Sequence, residues 1–161
     1  MWRRRWITAS ITILLIVITA IYGITHTSIS ALPDPGPVET RVATEVRNWF
    51  VRRAARAPLA PEPTDTAESV SKGSAILGMA CAFCHGREGR KPTAIGESMY
   101  PRTAPLGSPG VQALSNRELF WVVQNGIRLS GMPGFGKVLS DDHIWDVVHY
   151  LRTLPAARRT R

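Results

Sequence analysis

Two cysteines three positions apart, followed at once by a histidine, carry the most specific chemistry in this sequence: Cys81-Ala82-Phe83-Cys84-His85. The spacing C-x-x-C-H is the attachment pattern of c-type haem. Two thiols on one turn reach two vinyl groups and form thioethers, and the adjacent imidazole is then placed to ligate the iron. Other uses of the pair fit worse. A thioredoxin-like redox pair needs a βαβ setting, and no strand pattern precedes Cys81. A zinc site needs further Cys or His nearby at suitable spacing, and the chain offers too few. A plain disulfide leaves His85 without a role.

A haem iron held by His85 leaves a sixth position, for which Met79, Met99, Met132, His143 and His149 are the candidates. Met79 lies two residues before Cys81 and is too near the motif to reach the opposite face. His143 and His149 stand six apart on one helical pattern and read as surface or rim residues. Met99 lies in a long loop with nothing to distinguish it. Met132 sits in Ser130-Gly131-Met132-Pro133-Gly134-Phe135. There Gly131 and Gly134 are read as allowing close approach to a flat ring, and Pro133 as stiffening the loop that presents the sulfur. Met132 is therefore the expected ligand. Arg102 and Arg128 are candidate partners of a haem propionate, and Trp121 a candidate neighbour of the haem edge.

Three helical patterns must position these groups. The first covers Ala67–Ala80, with Glu68 near its start. The second, Asn116–Asn125, is introduced by Ser115 with Glu118 three residues on, a capping box, and stops at Gly126. The third, Asp141–Leu154, has Ser140 as its cap, acids in its first turn, Arg152 in its last and Pro155 as terminator. Between the first two lie about 30 residues rich in Gly and Pro, a length that is out of place in a small domain unless something other than protein fills the middle.

Gly73, the run Cys81–Gly86, Met132-Pro133-Gly134-Phe135 and the closing Ile144–Pro155 together resemble the class I, monohaem cytochrome c domain. The match looks nearest to bacterial membrane-anchored c-type cytochromes and the cytochrome c subunits of respiratory complexes. The resemblance implies an all-α, cytochrome c-like fold around one covalent haem c. It implies Cys81 and Cys84 as the thioether residues, with His85 and Met132 as the axial ligands. Gly73 would be the small residue that lets the last helix approach, with Tyr150 packing nearby. A proline carbonyl after the motif would orient the proximal histidine, and Pro101 and Pro105 are both in place for it. Leu77 departs from the aromatic residue that many relatives carry.

The flanks speak of a membrane. Residues 1–58 hold eight Arg against three acids, residues 59–155 nine basic against nine acidic groups, and the last six residues three Arg. A neutral folded part with basic flanks argues against nucleic acid, whose partners carry their charge on the folded surface. Arg3, Arg4 and Arg5 precede an uncharged stretch from Trp6 to Pro33, whose apolar heart spans roughly 19 residues, the length that crosses a bilayer. A retained anchor is favoured over a signal peptide cut near Ala31 after Ser28 and Ser30, because the apolar run exceeds a signal's usual 7–15 residues. The leading Arg cluster holds its end in the cytoplasm and sends the remainder outward. Next, over Val38–Ala57, Val38, Val42, Val46, Trp49 and Phe50 recur at helical spacing among five Arg, which reads as an amphipathic helix lying on headgroups or docking a partner, or else as a solvated spacer. A Pro-rich linker, Ala57–Pro63, comes after it.

The expected organisation is a membrane anchor at 1–30, a linker with a basic amphipathic helix at 31–63, the haem domain at 64–155 and a basic tail at 156–161. The expected function is one-electron transfer at the periplasmic side of the membrane. The expected partners are a dehydrogenase or quinol-oxidising complex as donor, a terminal oxidase as acceptor, and membrane lipid through the N-terminal helix. The alternative is a haem-based gas-sensing module in which Met132 is displaced.

Overall fold

A computed structural model describes residues 2–26 and 30–154, and every regular element among them is helical. The positions expected to contain Ser28, the terminator Pro155 and the basic tail lie outside the described residues. The chain divides into two units, one ending at Ser30 and one beginning at Ala31.

The first unit is a single helix, α1 (Trp2–His26), with no buried residue. It is long and apolar enough to cross a membrane. Thr8, Thr12, Thr19 and Thr25 do not interrupt it, because each hydroxyl bonds a carbonyl three or four residues back.

The second unit holds α2 (Pro37–Ala54), α3 (Ala67–Ile76), a π turn (Leu77–Cys81), α4 (Ala82–His85), α5 (Ala94–Glu97), α6 (Pro109–Gln112), α7 (Asn116–Asn125) and α8 (Asp141–Thr153). The helix expected over Ala67–Ala80 thus ends earlier as an α-helix and runs on through the π turn into the cysteine motif. Its start carries a signal beyond the expected one: Thr66 and Ser69 form a reciprocal capping box. The second and third expected helices appear with the predicted caps, Ser115 with Glu118 and Ser140 accepting from the His143 amide.

α8 is the centre of the unit. Val147, Leu151 and Leu154 join Ile76, Leu77 and Leu106 in one apolar cluster. Ile144, Trp145 and Val148 join Leu119, Phe120 and Val123 in a second, where the Phe120 and Trp145 rings stack at 4.4 Å. Burying both sides of α8 requires α3 to come close, and Gly73 permits it. A Cβ at Gly73 would overlap the Asp146 carbonyl and stand 2.9 Å from the Tyr150 Cβ. Arg152 does more than face the helix dipole: it reaches Asn116 Oδ1 at 2.6 Å and the Gln112 carbonyl at 3.1 Å, tying the end of α8 to α6 and α7.

Two readings of the sequence are corrected here. His149 is not at the surface: it is 2% exposed, with Nδ1 2.9 Å from Ser69 Oγ. The packed faces of α3 and α8 enclose it, so its polarity misled where its place on the buried face decides. α2, for its part, is no detached spacer. Val51 and Ala55 are buried against the rest of the unit, and Arg117 donates to the Ala55 and Ala57 carbonyls. The stripe of Val38, Val42, Val46, Trp49 and Phe50 is left exposed instead. The domain-facing side is the opposite one, marked by Arg47, Val51 and Ala55 at four-residue spacing.

Candidate haem site

The π turn decides how the motif is presented. The Ala82 amide bonds the Leu77 carbonyl, five residues back, which inserts one residue into the helix and rotates the motif relative to α3. Cys81 thereby packs against the first core cluster and still lines the cavity together with Cys84 and His85. Gly86 ends the motif at φ 77°, and a side chain there would run into the Lys91 carbonyl. The returning loop is stitched under the motif: Thr93 donates through its amide to the Cys84 carbonyl at 3.0 Å and through its hydroxyl to the Phe83 carbonyl at 2.7 Å.

His85 Nδ1 lies 3.1 Å from the Ala104 carbonyl. A carbonyl only accepts, so the proton sits on Nδ1 and the Nε2 lone pair is left for a metal. Burial lowers the His85 pKa, which favours the neutral, ligating ring. The orienting carbonyl belongs to Ala104, in place of the expected Pro101 or Pro105. Pro105 spends its own carbonyl on the Ser108 amide, and it sits one residue past the position that the loop aims at the ring. Both thiols are free, and burial pushes Cys81 up to about 11, which keeps it protonated until it is modified.

Cys81, Cys84 and His85 line a cavity of about 480 Å³, inside the range of roughly 300–1,000 Å³ usual for bound ligands. Leu119, Val122 and Val123 of α7 supply an apolar wall. Met132 and Phe135 line it from the loop before α8, and α2 contributes Arg47 and Val51. Arg102 also lines it, already bound to Asp34 and to the Glu97 carbonyl. Phe83, 68% exposed, stands at its mouth.

Trp121, Arg128 and Pro105 are not among the lining residues. Trp121 is half-buried on α7, on a different face from Leu119, Val122 and Val123, and Arg128 is exposed on the turn after that helix. Arg47 was missed by the sequence reading because the apolar stripe of its helix pointed attention to the other face.

The two loop methionines both line the cavity, and their surroundings separate them. The Met99 sulfur accepts from Thr103 Oγ1 at 3.5 Å and packs on Gly131, where a Cβ would stand 2.6 Å from it. Gly131, itself on the cavity lining, thus makes room for the Met99 sulfur. The backbone of Met132 is held at both ends: its amide donates to Ser130 Oγ at 3.2 Å and its carbonyl accepts from Ile127 at 3.2 Å. Its loop lies across the C-terminus of α7, where Phe135 and Gly136 donate to the Val123 and Gln124 carbonyls, both at 2.9 Å. Gly134 serves that crossing, since a Cβ there would stand 2.7 Å from the Asn125 carbonyl. Gly126 serves it from the other side, at φ 71° with Met132 O 2.7 Å from where a Cβ would be. Asn125 turns away, donating to the Trp121 carbonyl.

Two thiols, an imidazole whose Nε2 lone pair is left open and two methionine thioethers around one apolar cavity fit the requirements of haem c. Comparison with known proteins agrees. Residues 68–151, more than half of the chain, match the family model described as cytochrome c oxidase, cbb3-type, subunit III. A solved structure, the Kuenenia stuttgartiensis reducing HAO-like protein complex, is similar with a TM-score of 0.56 and 22% identity over 62% of this chain. The present chain spans 49% of the length of that one, and the likeness is one of fold. No curated protein matches.

Proposed function

The chain belongs to the family of cytochrome c oxidase, cbb3-type, subunit III, whose cytochrome c domain carries haem c and transfers electrons, and from that premise we propose a membrane-tethered one-electron carrier ligated by His85 and Met132. The observation that carries the ligation is the convergence of Cys81, Cys84, His85 and Met132 on one cavity. Bound there through thioethers from Cys81 and Cys84, the haem supplies one-electron exchange at iron.

The protein's own part is to fix both ligands and keep water out. The Ala104 carbonyl holds the His85 proton on Nδ1. The α7 crossing holds the Met132 loop, and Met132 is preferred over Met99 because the Met99 sulfur is engaged by Thr103. His85 and Met132 would together hold the iron, which would leave no position for substrate. Met ligation raises the potential. Phe83 offers an apolar contact at the cavity mouth, suited to the small transient interfaces of redox partners.

In this reading α1 anchors the chain with its Arg cluster in the cytoplasm, so the haem unit works on the periplasmic side. Its donor is a dehydrogenase or quinol-oxidising complex and its acceptor a terminal oxidase. The test is a redox titration of the full chain in detergent, tracked by haem absorbance with and without carbon monoxide. A clearly positive potential and no carbon monoxide shift are expected. A low potential, or ready carbon monoxide binding by the reduced form, would overturn the ligation and favour a gas-binding module.

A further inference from the structure

The cavity is lined by two guanidinium groups, Arg47 and Arg102, and by no Asp or Glu among the described residues. The group it is proposed to take carries two carboxylates. The two arginines are in different situations. Arg102 is ion-paired to Asp34, its side chain 43% exposed. Arg47 is half-buried on α2, and among the described residues its side chain bonds only Asn48 Oδ1, through Nε at 3.1 Å and Nη2 at 2.9 Å. An amide oxygen orients a guanidinium and leaves its charge uncompensated. Burial depresses the Arg47 pKa, as it does for a cation removed from water without an anion beside it. Partly buried cations of this kind are stabilised by a carboxylate, which a guanidinium receives with two parallel bonds.

The placement is built rather than incidental. Arg47, Val51 and Ala55 succeed one another at four-residue spacing on the side of α2 that meets the domain. Val51 at 3% exposed and Ala55 at 5% fix that side inward, so Arg47 is held toward the cavity one turn before Val51. Arg117 binds the carbonyls at the end of the helix, and Arg52 lies 3.9 Å from Glu118. α2 lies before the segment 68–151 that matches the family model.

We propose that Arg47 is a haem-propionate-binding residue that sets the potential of the iron, making α2 a wall of the haem site. The proposal rests on the haem reading above. A positive charge held at a propionate disfavours ferric iron, so its removal lowers the potential.

The test uses the full, haem-loaded chain in detergent and compares wild type with Arg47→Gln, Arg47→Lys and Arg102→Gln by redox titration. At a fixed poise, Arg47→Gln is expected to shift the ferric-to-ferrous ratio toward ferric by roughly three- to tenfold, tenfold being 59 mV for one electron. Arg47→Lys is expected to stay near wild type, and Arg102→Gln to shift less, because Asp34 already offsets that charge. A loaded Arg47→Gln protein with an unchanged potential overturns the proposal. Should Arg47→Gln fail to load, Asn48→Ala keeps the charge and removes its anchor: a smaller shift toward ferric supports the proposal and an unchanged potential overturns it. A wild-type chain without covalent haem, or with a low potential, overturns the underlying haem reading and is seen before any variant is made.

Discussion

The proximal and distal sides of the cavity are built by opposite means. On the proximal side, Cys81, Cys84 and His85 are contiguous, and one long-range bond to the Ala104 carbonyl completes the arrangement. On the side proposed to be distal, Met132 is placed by Ser130, by the C-terminus of α7 and by two glycines whose missing side chains let backbones cross. A local motif carries its own geometry in its spacing. A distal ligand depends on which distant segment comes to lie beside it.

Breaking each side separately sharpens this contrast, and the largest effect belongs to the proximal motif. Replacing Cys81 and Cys84 together by Ala should abolish covalent attachment, read as loss of haem signal after denaturing electrophoresis. Retained signal would contradict the thioether assignment. Next comes the choice between methionines. Met132→Ala should lower the potential and admit carbon monoxide to the reduced iron, whereas Met99→Ala should leave both as in wild type. The reverse pattern would move the ligand to the other loop.

Gly73→Ala strikes the support that both sides share, by forcing α3 off α8. Overpacking of this kind costs about 1–3 kcal/mol, and the overlap falls on backbone, so the upper end is expected in denaturant unfolding. Gly126→Ala acts on the distal side alone. A side chain at its positive φ, pressed against the Met132 carbonyl, should cost about 1–3 kcal/mol and speed carbon monoxide entry while haem attachment is unchanged. Equal damage to attachment would show that the two sides are not independent. The smallest effect is for Ser115→Ala, where loss of the α7 cap should cost about 1 kcal/mol with no change of ligation.

A contrast between α8 and α2 explains why some helices were legible and others only partly so. α8 presents Ser140, Asp141 and Asp142 at its start and a near-continuous apolar body, so its limits and its central burial are readable from the sequence pattern. α2 was equally visible as a helix, expected from Val38 and found from Pro37. Its strongest apolar stripe is nevertheless the one left uncovered by the domain, and the face against the domain is carried by Val51, Ala55 and the guanidinium of Arg47. Periodicity reports that a helix has sides; it does not report which side another element will reach. The same limit explains His149, whose polar type suggested a rim while Ser69, 80 positions away, supplies its buried partner.

By itself, then, the sequence determined the helical class, the capped starts of α7 and α8, the apolar segment at the front and the Cys81–His85 chemistry. Each of these depends on residues within a turn or two of one another, where side-chain type and spacing act directly on the backbone. Tertiary structure alone decided that Ala104 and not a proline orients His85, that Gly131 makes room for Met99, that Gly134 serves the α7 crossing, and that α2 brings Arg47 to the cavity. Those outcomes depend on close approach between segments distant in the chain, 19 residues apart for His85 and Ala104 and 80 for Ser69 and His149. Close approach is settled by how the elements pack together, which no single segment encodes.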